Sequence, residues 1–340
     1  MKILVTGGLG YIGSHVVVEL IKKKHEVVII DNLSNSNISV LNQIEKITNA
    51  TPVFVEINLI NKKDVSSFFE KNKNFKGVIH FAALKSVKES VNKPLEYYEN
   101  NILSTTNLLK FMPDGIPIVF SSSCTVYGNS EIQPMSEDIP YGNPSSPYAH
   151  TKQICEQIIS AQFKIKSKFK GISLRYFNPI GAHSSGLIGE NPKGVPENIL
   201  PYLTQVVNGQ QDFLTVYGND YPTKDGSCIR DYIHIMDLTE AHCRAIEYLS
   251  NLKSKKFLES INIGTGKGTT VLELITNFEK STDNKVLFKI GKRRSGDVEI
   301  AFADTEKAKK IIGWEFKYSL TDALKSAWKW EQNKKSVNLK

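Results

Sequence analysis

Through the first half of the chain, short apolar runs alternate with longer stretches of helical periodicity. The runs fall at residues 3–6, 27–30, 53–56, 78–81, 118–121 and 172–175, and most are apolar continuously rather than at every second position. A strand that is apolar on both sides is covered on both sides, so the pattern predicts a parallel sheet with helices on its two faces. Residues 11–24 and 148–166 are the clearest helical stretches, each set between two such runs.

From 178 to 226 the texture changes to loops rich in Gly, Pro, Asn and Ser, with a helical piece at 198–208. Residues 232–235 followed by 237–249 read as a strand and helix returning to the sheet. The expected fold is α/β: a Rossmann-type doubly wound parallel sheet with a smaller mixed α/β C-terminal substrate lobe. The sheet domain covers 1–177, with 230–250 returning to it, and the lobe combines 178–229 with 261–330. Residues 331–340 read as a frayed basic tail.

Composition narrows the class without choosing a fold. Of 340 residues, 40% are hydrophobic and 23% charged, which excludes disordered, collagenous and disulfide-scaffold chains. The formal charge of +8 is mostly scattered lysine, and the runs at 22–24 and 253–256 fall at expected helix ends. No basic stripe is interleaved with aromatics, so nucleic acid is not an expected partner. The four cysteines, Cys124, Cys155, Cys228 and Cys243, lack metal or redox spacing and read as reduced thiols. No metal site is expected. The N-terminal run is too short for a signal peptide and no stretch of about 18 apolar residues exists, so a cytoplasmic chain without a membrane span is expected.

Three groups of residues carry chemistry. Gly7-Gly8-Leu9-Gly10-Tyr11-Ile12-Gly13 follows the first run and opens a helix, the context in which glycines let a dinucleotide pyrophosphate approach the backbone. Asp31 ends the second run, eighteen residues after Gly13, where a carboxylate accepts from the adenine ribose. Asn32 and Leu33 follow it with no adjacent Arg or Lys to neutralise a 2′-phosphate, so NAD is the expected cofactor rather than NADP.

Tyr148 and Lys152 stand four residues apart at the start of a helix signalled by Ser145-Ser146-Pro147. They share a helix face, and an ammonium beside a phenol, with a positive nicotinamide ring near, is expected to lower a phenolic pKa from about 10. The serine-rich run 121–123 sits at the C-terminal edge of the fifth strand, where open α/β sheets bind ligands and a hydroxyl can orient a sugar oxygen.

With these in order, the chain resembles the extended short-chain dehydrogenase/reductase superfamily and, within it, the UDP-glucose 4-epimerase family. The resemblance spans nearly the whole chain. It is carried by Asp31-Asn32-Leu33-Ser34-Asn35-Ser36, His80-Phe81-Ala82-Ala83-Leu84-Lys85, Pro94-Leu95-Glu96-Tyr97-Tyr98, Arg175-Tyr176-Phe177-Asn178-Pro179, 217–223, 230–234 and Arg293-Arg294-Ser295-Gly296-Asp297.

The resemblance implies an isomerase that interconverts UDP-galactose and UDP-glucose through a 4-keto sugar, using tightly bound NAD. Tyr148 would be the base, Lys152 would bind the nicotinamide ribose and tune it, and Ser123 would hold the substrate near O4. The cofactor contacts it implies are Gly7, Gly10, Tyr11, Ile12, Gly13, Asp31, Asn32, Asn35, Ser36, Asn58, Leu59, Phe81, Ala82, Lys85, Asn100 and Phe177, with the catalytic three. The UDP-sugar contacts are Lys85, Ser123, Tyr148, Asn178, Asn198, Ile199, Thr215, Val216, Tyr217, Arg230, Arg294, Asp297 and Ala301. A homodimer packing helices of the sheet domain, residues 98–112 among them, is also implied.

Three positions depart from the family pattern. Asn58 stands where an Asp usually meets the adenine amino group, and offers only an amide oxygen. His150 stands where a small residue is usual, and its offset from Tyr148 reads it as structural. Ala301 stands where some members carry a bulky Tyr against the sugar, so N-acetylated UDP-hexosamines are an expected addition. A 4,6-dehydratase needs an Asp-Glu pair after the active-site hydroxyl, where this chain has Cys124 and Thr125. A nucleotide-sensing or RNA-binding module on the same core is disfavoured by the intact Ser123, Tyr148 and Lys152.

Overall fold

The computed structural model describes residues 1–294 and 298–334. Its strands are β1 (Lys2–Thr6), β2 (Glu26–Asp31), β3 (Val53–Glu56), β4 (Gly77–His80), β5 (Ile118–Ser123), β6 (Phe169–Tyr176), β7 (Asn178–Ile180), β8 (Leu214–Tyr217), β9 (Ile229–Arg230), β10 (Tyr232–His234), β11 (Lys256–Ile263), β12 (Thr269–Thr270), β13 (Phe288–Gly291) and β14 (Ile300–Ala301). The helices are α1 (Tyr11–Lys22), α2 (Val40–Thr48), α3 (Lys62–Lys71), α4 (Val87–Asn92), α5 (Pro94–Phe111), α6 (Pro147–Ile165), α7 (Ile199–Val207), α8 (Ile235–Asn251), α9 (Val271–Thr282), α10 (Glu306–Ile312) and α11 (Leu320–Asn333).

Seven strands form one parallel sheet in the order β3-β2-β1-β4-β5-β6-β11. Continuous apolarity has the expected cause. Along β1, Ile3 and Val5 enter the core shared with α1 and α8, while Leu4 enters the core shared with α3, α5 and α6. β1 is flanked by β2 on one side and β4 on the other, so the chain reverses its direction of build between β1 and β4. That reversal opens a crevice at the carboxyl ends of the strands.

Three expectations change. The strand at 232–235 does not rejoin the sheet: β10 pairs with β7 in a separate two-stranded unit, and α8 alone returns to pack on the sheet. The seventh strand is instead β11, whose last residues fall in the 261–330 stretch assigned from sequence to the lobe. An eight-residue run reading Lys-Phe-Leu-Glu-Ser-Ile-Asn-Ile hides its strand character because Ser260 and Asn262, on one of its two faces, are polar and bond Glu156 and Tyr127 rather than adding to an apolar run. In the tail, α11 continues to Asn333 with Glu331 buried, and Thr204, Asn208 and Gln210 donate to its carboxylate. The remainder of the tail lies outside the described residues.

The smaller lobe has its own core, in which α7, α9 and α11 enclose Leu203, Leu274, Phe278 and Leu324. Its strands form two further small sheets, β12-β9-β14 and β13-β8. All four cysteines are free thiols, and among the described residues no helix is long and apolar enough to cross a membrane.

Burial makes the fold sensitive to acid. Desolvation lowers His15 and His80 from 6.5 to about 3 and His242 to about 4. His15 and His242 each give Nδ1 to the carbonyl four residues earlier and leave Nε2 buried without a partner. A proton there would be stranded, so the folded state keeps these rings neutral while the unfolded chain protonates them near 6.5. Folded-state values below the unfolded ones mean stability that is complete above about pH 6.5 and lost on acidification. Each ring removes roughly 1.4 kcal/mol per pH unit over that window. Thermal scans are expected to show the midpoint falling steeply between pH 6 and 4, and a midpoint constant from pH 7.5 to 4.5 would contradict this.

Candidate active site

The glycine turn is shaped by contacts that leave no room for side chains. Gly7 has φ +68°, and a Cβ there would lie 2.8 Å from the Ala82 nitrogen; a Cβ on Gly13 would lie 2.2 Å from the Gly7 carbonyl oxygen. Gly10 caps α1, and the first N–H used inside the helix is that of Ser14, donated to the Gly10 carbonyl at 2.9 Å. The N–H groups of Tyr11, Ile12 and Gly13 therefore face outward at the positive end of the helix, where an anion is favoured.

Asp31 closes this turn from β2. Its carboxylate accepts from the Leu9 N–H at 3.1 Å, the Leu33 N–H at 3.0 Å and the Ser36 hydroxyl at 2.7 Å. A carboxylate offers about four acceptor directions, so one remains for a ligand hydroxyl. Asn32 accepts from the N–H and hydroxyl of Ser34. Asn58 uses its amide oxygen on the Ile60 N–H at 3.2 Å, which turns the β3 end and occupies part of the capacity expected for an adenine amino group.

These residues line one cleft of about 400 Å³, together with Asn35, Leu59, Phe81, Ala82, Lys85, Asn100, Tyr148 and Lys152. The segment 187–193 straps across it. Lys193 donates to the Leu33 and Ser34 carbonyls at 2.8 and 2.9 Å, and the Trp330 indole holds the Glu190 carbonyl at 3.1 Å. Glu190 is itself buried and accepts from Lys85 at 2.9 Å and from the Asn198 amide at 2.6 Å. Phe177 and Ser123 are the exceptions among the expected cofactor residues, since neither lines the cleft. Phe177 lies 3% exposed in a core with Val126 and Ala301, its N–H donating to the Ile263 carbonyl.

On the cleft floor, Ser146 caps α6 by accepting from Ala149, and Pro147 starts the helix. Tyr148 and Lys152 follow on one face. Lys152 donates to the Ser121 carbonyl at 2.7 Å, and its ammonium sits 5.7 Å from the Tyr148 ring centre and 5.0 Å from that of Phe120. Ser123 ends β5; its hydroxyl accepts from Thr125 and caps the tight turn Cys124–Tyr127, leaving its proton to donate.

The side chains by themselves do not lower the phenol pKa. Burial pushes Tyr148 well above its ordinary value, the neighbouring Tyr176 adds to this, and the hydrogen bond with Ser123 opposes it. Burial pulls Lys152 down to about 8. The protein alone therefore holds a neutral phenol beside a lysine near its titration point: the ammonium is committed to a carbonyl, and desolvation outweighs its field. Tyr176, bonded to Ser121 at 2.5 Å, and Asn101, which ties Leu84 to Thr151, are parts of the site that the sequence did not single out. His150 bonds Tyr98 across the helix pair, the structural role expected of it.

The lobe residues gather in two groups. Arg230 and Ala301 are register partners in β9 and β14, and Arg230 is close enough to Cys124 to act on its thiol, while Ala301 packs in a cluster that Cys124 borders. Asn178 donates its N–H to the Asp231 carbonyl, beside Arg230. Thr215, Val216 and Tyr217 run along β8, where Arg294 lies over the Tyr217 ring at 4.4 Å; Ile199 opens α7 behind Asn198. Asp297 lies outside the described residues.

Known proteins match nearly the whole length of this chain. The family model for GDP-mannose 4,6 dehydratase covers residues 4–327. The UDP-glucose 4-epimerase of Bacillus subtilis is 46% identical over 335 residues, 98% of this chain and 97% of its own. The chain belongs to the UDP-glucose 4-epimerase family. Among solved members, the Stenotrophomonas maltophila enzyme with bound NAD and formylated UDP-arabinopyranose superimposes with TM-score 0.94 at 41% identity, covering 99% of both chains. The Bifidobacterium longum enzyme with NAD and UDP gives 0.93 at 39% identity, covering 99% of this chain and 100% of that one. The family model carries a dehydratase's description, but here Cys124 has a thiol raised by burial to about 12 and Thr125 has no ionisable group, so neither supplies that elimination chemistry.

Proposed function

We propose that this chain is an NAD-dependent isomerase that interconverts UDP-galactose and UDP-glucose by reversible oxidation at C4. The observation that carries the reading is the Tyr148–Lys152 pair on the floor of a cleft that also holds the glycine turn and Asp31. Three outward N–H groups at α1 and a free acceptor direction on Asp31 fit a dinucleotide without a 2′-phosphate. Gly7, Gly10, Tyr11, Ile12 and Gly13 would cradle its pyrophosphate. Asp31, Asn32, Asn35, Ser36, Asn58 and Leu59 would hold the adenosine half, and Phe81, Ala82, Lys85, Asn100 and Lys152 the other half.

A bound NAD would supply the acceptor and donor for the C4 hydride and a positive ring whose field would favour the phenolate of Tyr148. Tyr148 takes the proton of the 4-hydroxyl and gives it back after the 4-keto sugar has turned. Ser123 donates to the oxygen at C4, and Lys152 orients the ribose and holds its positive charge beside Tyr148. The strap over the cleft, with Lys193 as its fastening, keeps water away while the sugar is oxidised. Asn178, Asn198, Ile199, Thr215, Val216, Tyr217, Arg230, Arg294 and Asp297 would hold the UDP group, the two arginines pairing with the diphosphate.

The division into a sheet domain and a UDP-sugar lobe follows the same roles. A cytoplasmic location accords with four free thiols. A homodimer is supported by apolar side chains exposed along α4 and α5, namely Val87, Val91, Leu95 and Leu103, with Leu95 80% exposed. Sedimentation is expected to give a dimer that Leu95→Glu with Leu103→Glu dissociates; a wild-type monomer would overturn it.

Purified protein given UDP-galactose is expected to form UDP-glucose without added oxidant, and a protein that binds NAD but turns nothing over would favour a sensing module. Tyr148→Phe is expected to lose activity by a factor on the order of 10²–10⁴ while retaining NAD; an undiminished rate would refute the base. Ala301, 7% exposed in the cluster that Cys124 borders, presents only a methyl group where some members of the family carry a bulky Tyr. Wild type is therefore expected to turn over UDP-N-acetylglucosamine and Ala301→Tyr to lose that substrate while keeping UDP-galactose. No wild-type turnover of the N-acetylated sugar would contradict this.

A further inference from the structure

The face of α6 that carries Tyr148 and Lys152 has a third polar member one turn further on. Glu156 is 4% exposed, and it lies four residues beyond Lys152, so the three side chains form one line down the helix. That line meets β5 serine by serine. Tyr148 lies near enough to Ser123 for that hydroxyl to favour its phenolate, Lys152 holds the Ser121 carbonyl at 2.7 Å, and Glu156 accepts from the Ser122 hydroxyl.

Glu156 is the hub of a buried network. Arg175, 5% exposed on β6, gives it Nε at 3.1 Å and Nη2 at 2.7 Å; Tyr141 donates at 2.9 Å and Ser260 of β11 at 3.3 Å. Arg175 also donates to the Tyr127 hydroxyl at 3.1 Å, which donates to Asn262 at 2.6 Å. Tyr127 closes the turn that begins at Ser123, so the end of that turn and the strand residue just before it, Ser122, are fixed to the same ion pair. A buried pair of this kind adds little net stability compared with apolar residues of the same size. Its position points to function instead.

We propose that Glu156 is a positioning residue for the Tyr148–Lys152 pair, setting the register of α6 on the end of β5 and keeping a negative charge one turn below the Lys152 ammonium. This rests on the reading of Tyr148 and Lys152 as the acid-base pair. The groups facing Lys152 are His80 of β4, Tyr176 of β6, and Tyr148, Cys155 and Glu156 of α6. His80 is held neutral by burial. Tyr148 and Tyr176 are held neutral in the same way, as is the Cys155 thiol. Glu156 is therefore the standing anion that opposes the loss of the Lys152 proton, a loss that burial promotes.

The test is the pH dependence of kcat for UDP-galactose in wild type, Glu156→Gln and Glu156→Asp, with bound NAD measured in each. Glu156→Gln is expected to move the basic limb down by about half a unit or more, as expected for removing one nearby anion, and Glu156→Asp to restore it even where its rate is lower. Should Glu156→Gln not be recovered folded, Glu156→Gln with Arg175→Gln removes the charge of both partners while keeping hydrogen-bonding groups, and is expected to move the limb in the same direction by a smaller amount, since the anion nearer Lys152 goes together with its paired cation. A limb unchanged in whichever charge-removing variant is recovered, with only the melting temperature lowered, would overturn the proposal and leave Glu156 as a packing group. Tyr148→Phe and Lys152→Met, assayed alongside, separate the two claims: activity in both would overturn the acid-base reading itself.

Discussion

The bond from the Lys152 ammonium to the Ser121 carbonyl, 2.7 Å long, is the constraint on which the site depends. It joins the first turns of α6 to the end of β5, and everything catalytic hangs from one of these two elements. With that bond made, Tyr148 and Ser123 face each other, and Glu156 reaches the Arg175 of the next strand. The cofactor cleft opens on the same side because the sheet reverses its build between β1 and β4, which places the glycine turn across from the serine edge.

The cost of this arrangement is charge held away from water. A phenol and an amine buried together each favour the neutral form, which is the opposite of what proton abstraction requires. The protein alone leaves the pair short of reactive. A positive ring brought into the cleft supplies what the side chains withhold, so reactivity appears only with the cofactor in place. The strap that covers the cleft and the acidic hub beneath Lys152 fit the same logic: one retains the cation-bearing group, the other keeps the lysine protonated until it arrives.

Much of this was legible from the sequence because its signals are local. The glycine turn, Asp31 and the Tyr148–Lys152 spacing are each contained in a few residues, and continuous apolar runs report strands covered on both faces. What was not legible depends on distant partners. Glu190 lies in a stretch that reads only as loop, and its bond to Lys85 joins residues 105 apart; Lys193 meets Leu33 across 160. β11 escaped because its buried Ser260 and Asn262 break the apolar run with polar side chains whose partners lie far away in sequence, and β10 was misplaced because a three-residue strand carries no sign of its partner. The protein's own effect on Tyr148 was hidden for the same reason: spacing shows that a cation is near, while the burial that outweighs it in the protein alone belongs to the whole fold.

The central claim is that a hydride leaves C4 and returns to the same carbon without meeting solvent. It is tested most directly by converting UDP-galactose deuterated at C4 and analysing the UDP-glucose formed. The account requires the deuterium to remain at C4, with no solvent deuterium entering that position when unlabelled substrate is run in heavy water. Loss of the label to solvent, or its appearance at C4 from heavy water, would contradict it.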